Sequence, residues 1–283
     1  MNNIAKKGML SLALVLLAAM PATSAQTDVD LDPEVGGRFS VSLDKKLSRG
    51  LHLGLEEEIR FDNNFSSFNR FHTTLGITYK VHPNIKIGVG YALITPYNSD
   101  SSTFKSARHR LMVDAKGSVR IGDWRLSLKE RLQGTYRSGD MNEYQNPRTA
   151  LALKSRLKLQ YTHRFAPYAS IELRNTLNAP VVDAVYNEAT DTWGYYNGTT
   201  FTEKGDPGWF LDGWDGVYVN RLRGAVGFDY RIDKRSTLDV SLMADYVMDK
   251  VVDASGKGKY LKSYTRETGF VAWLTIGYNY SFQ

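Results

Sequence analysis

The sequence predicts an all-β protein, a transmembrane antiparallel up-and-down β-barrel of about 12 strands (roughly 10–12), on three observations. A basic and apolar N-terminus precedes a polar chain. Successive segments alternate apolar and polar residues with the two-residue period of a β-strand. The connections alternate between short and long, which is typical of barrels with short periplasmic turns and long extracellular loops.

The N-terminus has the parts of a secretory signal peptide. Lys6 and Lys7 precede the apolar run Met9–Met20, and small residues follow as far as Ala25. A run of about 12 apolar residues is shorter than the ~20 that a membrane-spanning helix needs. We therefore predict that residues 1–25 are a signal peptide, cleaved after Ala25.

Composition narrows the functional classes. The chain has 283 residues, no cysteine, a mean hydropathy of −0.37 and a formal net charge of +6, and removal of Lys6 and Lys7 lowers that charge to +4. The charge forms no dense basic tract, so we expect no nucleic-acid partner. The lack of cysteine excludes disulfides and thiolate metal sites. Since no loop is rich in His or in regularly spaced acids, we expect no metal and no cofactor.

Eleven segments have strand periodicity. Residues 26–34 are a short acidic segment, interpreted as a tail, a short strand or a segment inside the barrel, and the barrel is predicted over 35–283. Its predicted strands are 35–46, 51–61, 71–81, 85–97, 107–121, 124–137, 149–163, 169–177, 218–230, 236–248 and 269–283. A bacterial barrel is expected to have an even number. Either 26–34 supplies a twelfth strand or the count is wrong, because otherwise the first strand would start from the outside.

Aromatic residues recur at one spacing on the apolar face of three strands. They lie 12 positions apart at Trp124 and Tyr136, Tyr218 and Tyr230, and Phe270 and Phe282. At ~3.3 Å per residue and a tilt of ~40°, 12 residues rise roughly 30 Å, which is about the thickness of the bilayer hydrocarbon. We expect these side chains to form the two interfacial girdles. Strands of a soluble sandwich, with roughly 5–6 residues, have no reason to repeat this span.

The inward face of such a barrel is charged and mostly basic. The residues predicted to line the lumen and to contact a solute are Arg70, His72, Arg108, Arg110, Lys116, Arg125, Lys129, Arg131, Lys154, Arg156, Lys158, Arg221 and Arg223. One interpretation is a lattice of cross-strand ion pairs that fills a narrow interior. The other is a water-filled lumen that attracts anions. Both stay open, although an inward Trp273 favours a partly filled lumen.

Several stretches resemble one known family. They are FSVSL at 39–43, DKKLSR at 44–49, LHLGLEEEIRF at 51–61 with DNN at 62–64, IKIGVGY at 85–91, RHR at 108–110 and GYNYSF at 277–282. This pattern resembles an outer-membrane family catalogued as the domain of unknown function 2490. The resemblance implies an outer-membrane barrel and supplies no catalytic residues. The chain departs from the usual pattern in its long 178–217 loop and in its terminal Gln283, since a terminal Phe is the usual assembly signal.

The sequence contains no strong catalytic motif. A barrel hydrolase needs a Ser beside a His. Of the five histidines, His52 and His72 are predicted to point inward, and neither has a Ser two residues away on its face. A protease barrel needs paired acids at the outer rim, and Asp62, Asp100 and Asp140 could supply one. Acidic loop residues are common, so we expect no enzyme activity.

The predicted loop 178–217 is the longest connection. Its aromatic residues, which are candidates for ligand binding, are Trp193, Tyr195, Tyr196, Trp209 and Trp214. Loops of this length are often functional, and aromatic rings beside carboxylates can stack on sugars. The alternative is a compact lid whose aromatic residues pack on one another, and we favour the lid.

We therefore expect a bacterial outer-membrane barrel without enzyme activity, and a narrow channel for small anionic solutes is the first hypothesis. A structural barrel, or one that binds a partner or glycan through its extracellular loops, is the first alternative; a barrel hydrolase is the second. Expected partners are outer-membrane lipid and, through the C-terminal strand, the barrel-assembly machinery. We expect a monomer rather than an oligomer.

Overall fold

A computed structural model describes residues 27–139, 141–182, 184–197, 200–203, 211–255 and 261–282. The predicted signal peptide and its cleavage site lie outside these residues. The strands run, in chain order, β1 Thr27–Asp30, β2 Glu34–Ser48, β3 Leu51–Asp62, β4 Ser67–His82, β5 Ile85–Asn98, β6 Thr103–Phe104, β7 Arg108–Ile121, β8 Trp124–Arg137, β9 Thr149–Tyr161, β10 Phe165–Val182, β11 Val185–Asn187, β12 Thr192–Asn197, β13 Thr200–Glu203, β14 Leu211–Arg231, β15 Ser236–Ala254 and β16 Leu261–Phe282. None of the described residues belongs to a helix that is long and apolar enough to cross a membrane.

Eleven of these strands close into a single barrel. Their order is β2-β3-β4-β5-β7-β8-β9-β10-β14-β15-β16, and β16 also pairs with β2. Each strand is antiparallel to the next along this order. The predicted all-β up-and-down barrel is confirmed, with eleven strands in the wall. We call the end with the long connections the outer end and the end with the short turns the inner end.

The seam that closes the barrel is parallel. β2 runs beside β16 from Glu34 opposite Val271 to Lys45 opposite Phe282. In an up-and-down barrel the first and last strands are antiparallel when the strand number is even, and parallel when it is odd. The expectation of an even number is therefore wrong for the described chain, and the first strand does start from the outer end.

The acidic segment before β2 runs along the same edge of β16 as β2 does. β1 pairs in parallel with the outer part of β16, with Asp30 opposite Thr268, and the Leu31 N–H donates to the Thr268 carbonyl at 2.6 Å. The segment is thus a short strand, as one of the three interpretations held. It extends the line of β2 beyond the barrel wall and does not add a twelfth strand to that wall.

The outside of the barrel is apolar. Large side chains along the strands stay uncovered, among them Leu111 with 68% of its surface exposed and Leu242 with 62%. Such a continuous exposed surface suits hydrocarbon and not water, so the strands are transmembrane. Trp124 and Tyr136 are exposed at opposite ends of β8, where interfacial aromatic residues belong.

One of the three predicted aromatic pairs is wrong. Arg221 pairs with Arg174, but the next pair is Val219 with Asn175, so Asn220 is an extra residue in β14. This β-bulge shifts the side-chain alternation by one. Tyr218 therefore leaves the face of Tyr230, and its hydroxyl accepts a hydrogen bond from the Lys250 N–H at 3.0 Å.

The outer end is taller on one side. β10 continues to Val182 and β14 begins at Leu211, so much of the predicted 178–217 loop is strand. Pairing between β14 and β15 ends at Arg221 opposite Val247. Above that point the β10–β14 and β15–β16 hairpins pack on each other through a small apolar core of Val182, Ala184, Val252, Ala254, Leu261 and Tyr264. The connection between β10 and β14 holds a separate antiparallel sheet of β11, β12 and β13.

The β8–β9 connection, residues 138–148, reaches this outer core. The Asn142 amide donates to the carbonyl oxygens of Ala254 at 3.2 Å and Ser255 at 3.0 Å. The Gln145 amide donates to Asp253 Oδ1 at 2.7 Å. On this side of the outer surface, hydrogen bonds therefore join connections that are far apart in sequence.

The inner turns are short and locally determined. Gly50 and Gly122 have positive φ angles of 84° and 59°, which glycine adopts without steric cost. In the turn after β14, Asp233 Oδ1 accepts the N–H groups of Arg235 at 2.6 Å and Ser236 at 2.7 Å. These two bonds hold the pKa of Asp233 below its ordinary value, because they stabilise the carboxylate.

The parallel seam places the N-terminal segment at the outer end. Because the chain has no cysteine, single cysteines can be placed at Asp28, at Ser101 in the β5–β7 connection and at Asp123 in an inner turn. In sealed membranes of uniform orientation, we expect an impermeant maleimide to label Asp28→Cys and Ser101→Cys from the same side, and Asp123→Cys from the other. Labelling of Asp28→Cys together with Asp123→Cys would rule out the parallel seam.

The exposed position of Leu242 tests the lipid-facing surface. Leu242→Arg should destabilise the folded barrel in lipid vesicles by about 2–4 kcal/mol, the cost of a cation at the bilayer midplane. Leu242→Phe is the matched control, and its midpoint in urea should stay close to that of the wild type. Equal unfolding curves for all three proteins would show that this surface does not face lipid.

The charged constriction of the lumen

Inward side chains of opposite charge meet near the middle of the barrel because the strand register makes them neighbours. Glu172 on β10 lies directly opposite Arg156 on β9 and Arg223 on β14, and Arg223 lies opposite Asp245 on β15. Directly opposed side chains in an antiparallel pair have Cβ atoms ~5 Å apart, so they can interact. We call the resulting set the constriction: Arg38, Glu58, Arg60, Arg156, Glu172, Arg221, Arg223 and Asp245.

Asp245 is the centre of its densest part. Arg223 donates to both carboxylate oxygens, from Nε at 2.5 Å and from Nη2 at 2.6 Å. The Trp273 indole N–H donates to Oδ2 at 3.2 Å, and guanidinium nitrogens of Arg38 and Arg221 each lie 3.9 Å away. The Asp245 side chain is only 3% exposed, so its charge depends on these partners.

Trp273 fills the lumen beside this carboxylate, as its inward parity predicted. The Arg38 guanidinium lies 4.2 Å from the centre of the Trp273 ring, a cation–π contact. Gly36 makes room for the ring, because a Cβ at this position would overlap the Trp273 ring and would lie 2.6 Å from the Phe61 carbonyl oxygen. Trp273 and Arg38 thus join β16 to β2 across the parallel seam.

Two further carboxylates complete the constriction. Glu172 lies 2.5 Å from Arg156, 3.1 Å from Arg221 and 3.8 Å from Arg223. Glu58 lies 2.5 Å from Arg60. Three carboxylates are therefore shared among five arginines, and the cations outnumber their partners even within the constriction.

The constriction separates two cavities. The outer cavity has a volume of about 240 Å³ and extends toward Asp249 and Val271. The inner cavity has a volume of about 400 Å³ and extends toward Tyr168 and Thr275. Both are lined by Arg38, Arg60, His72, Arg110, Lys154 and Arg223.

The outer cavity carries a large excess of positive charge. Its basic lining residues are Arg38, Arg60, Arg70, Arg110, Lys154, Arg174, Arg221 and Arg223, against the two carboxylates Asp245 and Asp249. Lys154 and Arg174 form no ion pair within 4 Å among the described residues. The side-chain Nε atoms of Arg70 and Arg110 donate to neutral acceptors, on Asn69 and Thr135. The potential in this cavity therefore favours anions.

The inner half of the lumen is more nearly balanced. Asp114 binds Arg131 at 2.6 Å and Lys129 at 2.9 Å. Lys158 lies 3.7 Å from Asp229 and 3.5 Å above the centre of the Tyr168 ring. The lumen thus contains a lattice of ion pairs at and below the constriction and a cavity lined mostly by cations above it. That this lumen carries anions stays a prediction.

The structure places the predicted lumen residues in three groups. Those that line the two cavities are Arg70, His72, Arg110, Lys129, Arg131, Lys154, Arg156, Arg221 and Arg223. Arg108 lines a separate pocket with the β8–β9 connection, and Lys158 belongs to the inner lattice. Lys116 and Arg125 are exposed toward the inner end.

Sequence reasoning missed Arg38 and did not select Arg60, Arg174 or the three carboxylates as site residues. Arg38 has the opposite parity to Phe39 and Val41, so the alternation of β2 could have identified it as inward. Which cations remain without a carboxylate depends on the register between strands, and no single strand contains that information.

The candidate residues of the long connection divide between described and undescribed side chains. Trp193 is half-buried, its indole N–H donates to the Lys262 carbonyl at 3.1 Å, and its ring lies 5.3 Å from that of Tyr186. Trp214 is half-buried on β14. Trp209 and the side chains of Tyr195 and Tyr196 lie outside the described residues. Trp193 thus packs against the outer core, as a lid residue would.

Several of the described histidines form hydrogen bonds, but none of these bonds joins a histidine to a Ser or Thr hydroxyl. His52 pairs with Asp44 at 2.9 Å, and His109 bonds the Tyr91 hydroxyl at 2.7 Å. A search of the described residues found no cluster of three or more His, Asp or Glu that could hold a metal ion.

A comparison with family models gives one match. Residues 38–200, more than half of the 283 residues of the chain, match the model described as "Protein of unknown function (DUF2490)". The chain belongs to the DUF2490 family. This confirms the resemblance of the strand motifs, and it leaves the role of the family's members to be inferred from the site.

Two other comparisons add little. A search of curated proteins found no match. Among solved structures, the chain is similar to "Outer-membrane expressed OmpT of Vibrio cholerae" with 9% sequence identity and a TM-score of 0.35. The alignment covers 81% of this chain and 64% of the other, which is less than two-thirds of its length. The fold described above rests on the strand pairing of this DUF2490 member itself.

Asp245 provides a test of the constriction. Asp245→Asn removes the charge while keeping the shape, so buried Arg223 loses its ionic partner, and we expect unfolding to become easier by about 3–5 kcal/mol. The measurement is a urea titration of the refolded barrel in lipid.

The matched control is Asp253→Asn in the outer hairpin. Its partner Lys262 lies 3.9 Å away, with side chains that are 46% and 60% exposed, so the loss should be below about 1 kcal/mol. Equal losses for the two variants would contradict a special role for the buried pair.

Proposed function

We propose that this DUF2490 protein resides in the outer membrane of a Gram-negative bacterium. The lipid-facing exterior, the contrast between short inner turns and long outer connections, and the N-terminal segment typical of secretion support this location. Its outer end would face the medium. Its partners there would be outer-membrane lipid and, during assembly, the barrel-assembly machinery.

We further propose that the barrel is a narrow channel for small anions and has no enzyme activity. The observation that carries the proposal is the excess of arginine and lysine around the outer cavity. A lumen lined by one sign of charge concentrates counter-ions and repels ions of the same sign. Because side chains locked in ion pairs narrow the middle of the lumen, the channel would pass small anions and exclude larger solutes.

A structural or ligand-binding role of the outer surface is the second candidate. It is favoured by the outer apolar core, which packs two tall hairpins together, and by Asn142 and Gln145, which tie the β8–β9 connection to them. An outer surface held together by these hydrogen bonds and by apolar packing could present a fixed shape to a partner or a glycan. The barrel-hydrolase hypothesis has no Ser–His pair to support it among the described residues, and assays for ester and peptide cleavage test it directly.

Ion selectivity in a planar bilayer tests the channel. We expect refolded wild-type protein to give small current steps with anions more permeant than cations. Arg110→Glu with Lys154→Glu converts two cations of the outer cavity into anions, so the selectivity should reverse. Lys262→Glu, at an exposed position of the outer hairpin, is the control and should keep the wild-type selectivity. A wild-type barrel that is folded but silent, or cation-selective, would overturn the channel proposal.

The location is tested in intact cells with the cysteine variants used for the seam. Ser101→Cys should react with an impermeant maleimide from the medium. Asp123→Cys should react only after the outer membrane has been permeabilised. Reaction of neither residue until the inner membrane is opened would place the protein elsewhere.

A further inference from the structure

Three cations stand side by side at the outer cavity without carboxylates between them. Arg174 on β10 lies directly opposite Lys154 on β9 and directly opposite Arg221 on β14. We call these three residues the cationic row. Like charges opposed across strands destabilise a sheet, and Lys154 and Arg174 have no anionic partner within 4 Å among the described residues. Arg221 has Glu172 at 3.1 Å, so the uncompensated repulsion falls on Lys154 and Arg174, and a bound anion would lower its cost.

Buried donors around the same cavity also lack acceptors. The Nε atoms of Arg38, Arg174 and Arg221 are buried and have no hydrogen-bond partner, and all three residues line the outer cavity. Arg38 is only 6% exposed. Buried polar groups in proteins nearly always have partners. The amide oxygens of Gln133 and Asn220 at this cavity also lack partners, so the cavity has room for a ligand, and the three Nε donors indicate that this ligand accepts hydrogen bonds.

The chemistry of the row identifies the acceptor. A guanidinium presents its N–H groups in a planar fork that fits two oxygens of one oxyanion, and an ammonium contributes a compact charge. Water could accept hydrogen bonds from these groups, but it only screens the adjacent cations and supplies no opposite charge. The eight basic residues of the outer cavity exceed its two lining carboxylates. When Glu58 and Glu172, the partners of Arg60 and Arg221, are also counted, an excess of four positive charges remains (8 − 4). This excess favours an anion with more than one charge.

We propose that the outer cavity is a saturable binding site for one small divalent oxyanion of the phosphate or sulfate type. Lys154, Arg174 and Arg221 hold its oxygens, and the constriction lies directly below it. The proposal rests on the proposed function in one respect, since this site would be the first one that a permeating anion occupies. Binding itself does not require conduction, so the two proposals can fail separately.

Equilibrium binding to the folded barrel tests the site. Titration calorimetry in phosphatidylcholine nanodiscs, in a chloride buffer, would use inorganic phosphate, sulfate and glycerol phosphate as probes. We expect one site per barrel that takes phosphate and sulfate in preference to chloride. Binding of glycerol phosphate with equal affinity would extend the ligand class to phosphate esters, and its exclusion would restrict it to free oxyanions.

Neutral variants locate the site. Lys154→Gln and Arg174→Gln keep polar side chains but remove one charge each, so each should weaken phosphate binding roughly tenfold or more. Lys262→Gln, in the exposed outer hairpin, should leave the affinity unchanged. Phosphate should also raise the melting temperature of the wild type, because a ligand that binds the folded state stabilises it, and this shift should shrink in both row variants.

The outcomes separate the proposals. Folded wild type that shows neither saturable binding nor a phosphate-dependent rise in melting temperature overturns the site. Binding that Lys154→Gln and Arg174→Gln leave unchanged overturns its placement. Saturable binding to a barrel that stays silent in the planar bilayer supports the site while overturning the channel, and anion current without binding does the reverse.

Discussion

The buried carboxylate of Asp245 stabilises the barrel next to its parallel seam, where β16 pairs with β2. Arg223 donates two hydrogen bonds to it, of 2.5 and 2.6 Å. Trp273 on β16 also donates to it, and the Trp273 ring lies against Arg38 on β2, the other strand of the parallel seam. Parallel pairing is slightly weaker per residue than antiparallel pairing. The side-chain network inside the lumen therefore reinforces the wall where the backbone ladder is least favourable.

That reinforcement divides the charges of the lumen unevenly. Glu172 and Asp245 form ion pairs with Arg156 and Arg223 at the constriction. Asp114 and Asp229 form ion pairs with Arg131 and Lys158 further toward the inner end. Lys154 and Arg174 of the cationic row have no carboxylate within 4 Å among the described residues, and Arg221, the third member, shares Glu172 with Arg156 and Arg223. The same arrangement thus accounts for the paired charges at the constriction and for the excess of basic residues around the outer cavity.

Much of the fold could be read from local pattern. The two-residue alternation placed eleven strands, and the inner turns fell where Gly50 and Gly122 permit positive φ angles. What failed depended on pairing between strands. The extra residue at Asn220 moved Tyr218 off the predicted girdle, and the tall β10–β14 and β15–β16 hairpins replaced predicted loops. Their outer segments are stabilised by packing on each other, which a single segment does not reveal.

The candidate site divides in the same way. Side-chain parity alone determined that the inward face is basic and that Trp273 occupies the lumen, since each depends on one strand. The tertiary structure decided which charges cancel. Glu172 meets three arginines because β9, β10 and β14 are in one register, and in that register Arg174 stands between Lys154 and Arg221. Ion pairing acts over a few ångströms. Which cations are paired with a carboxylate and which are not is therefore decided only when the strands lie side by side.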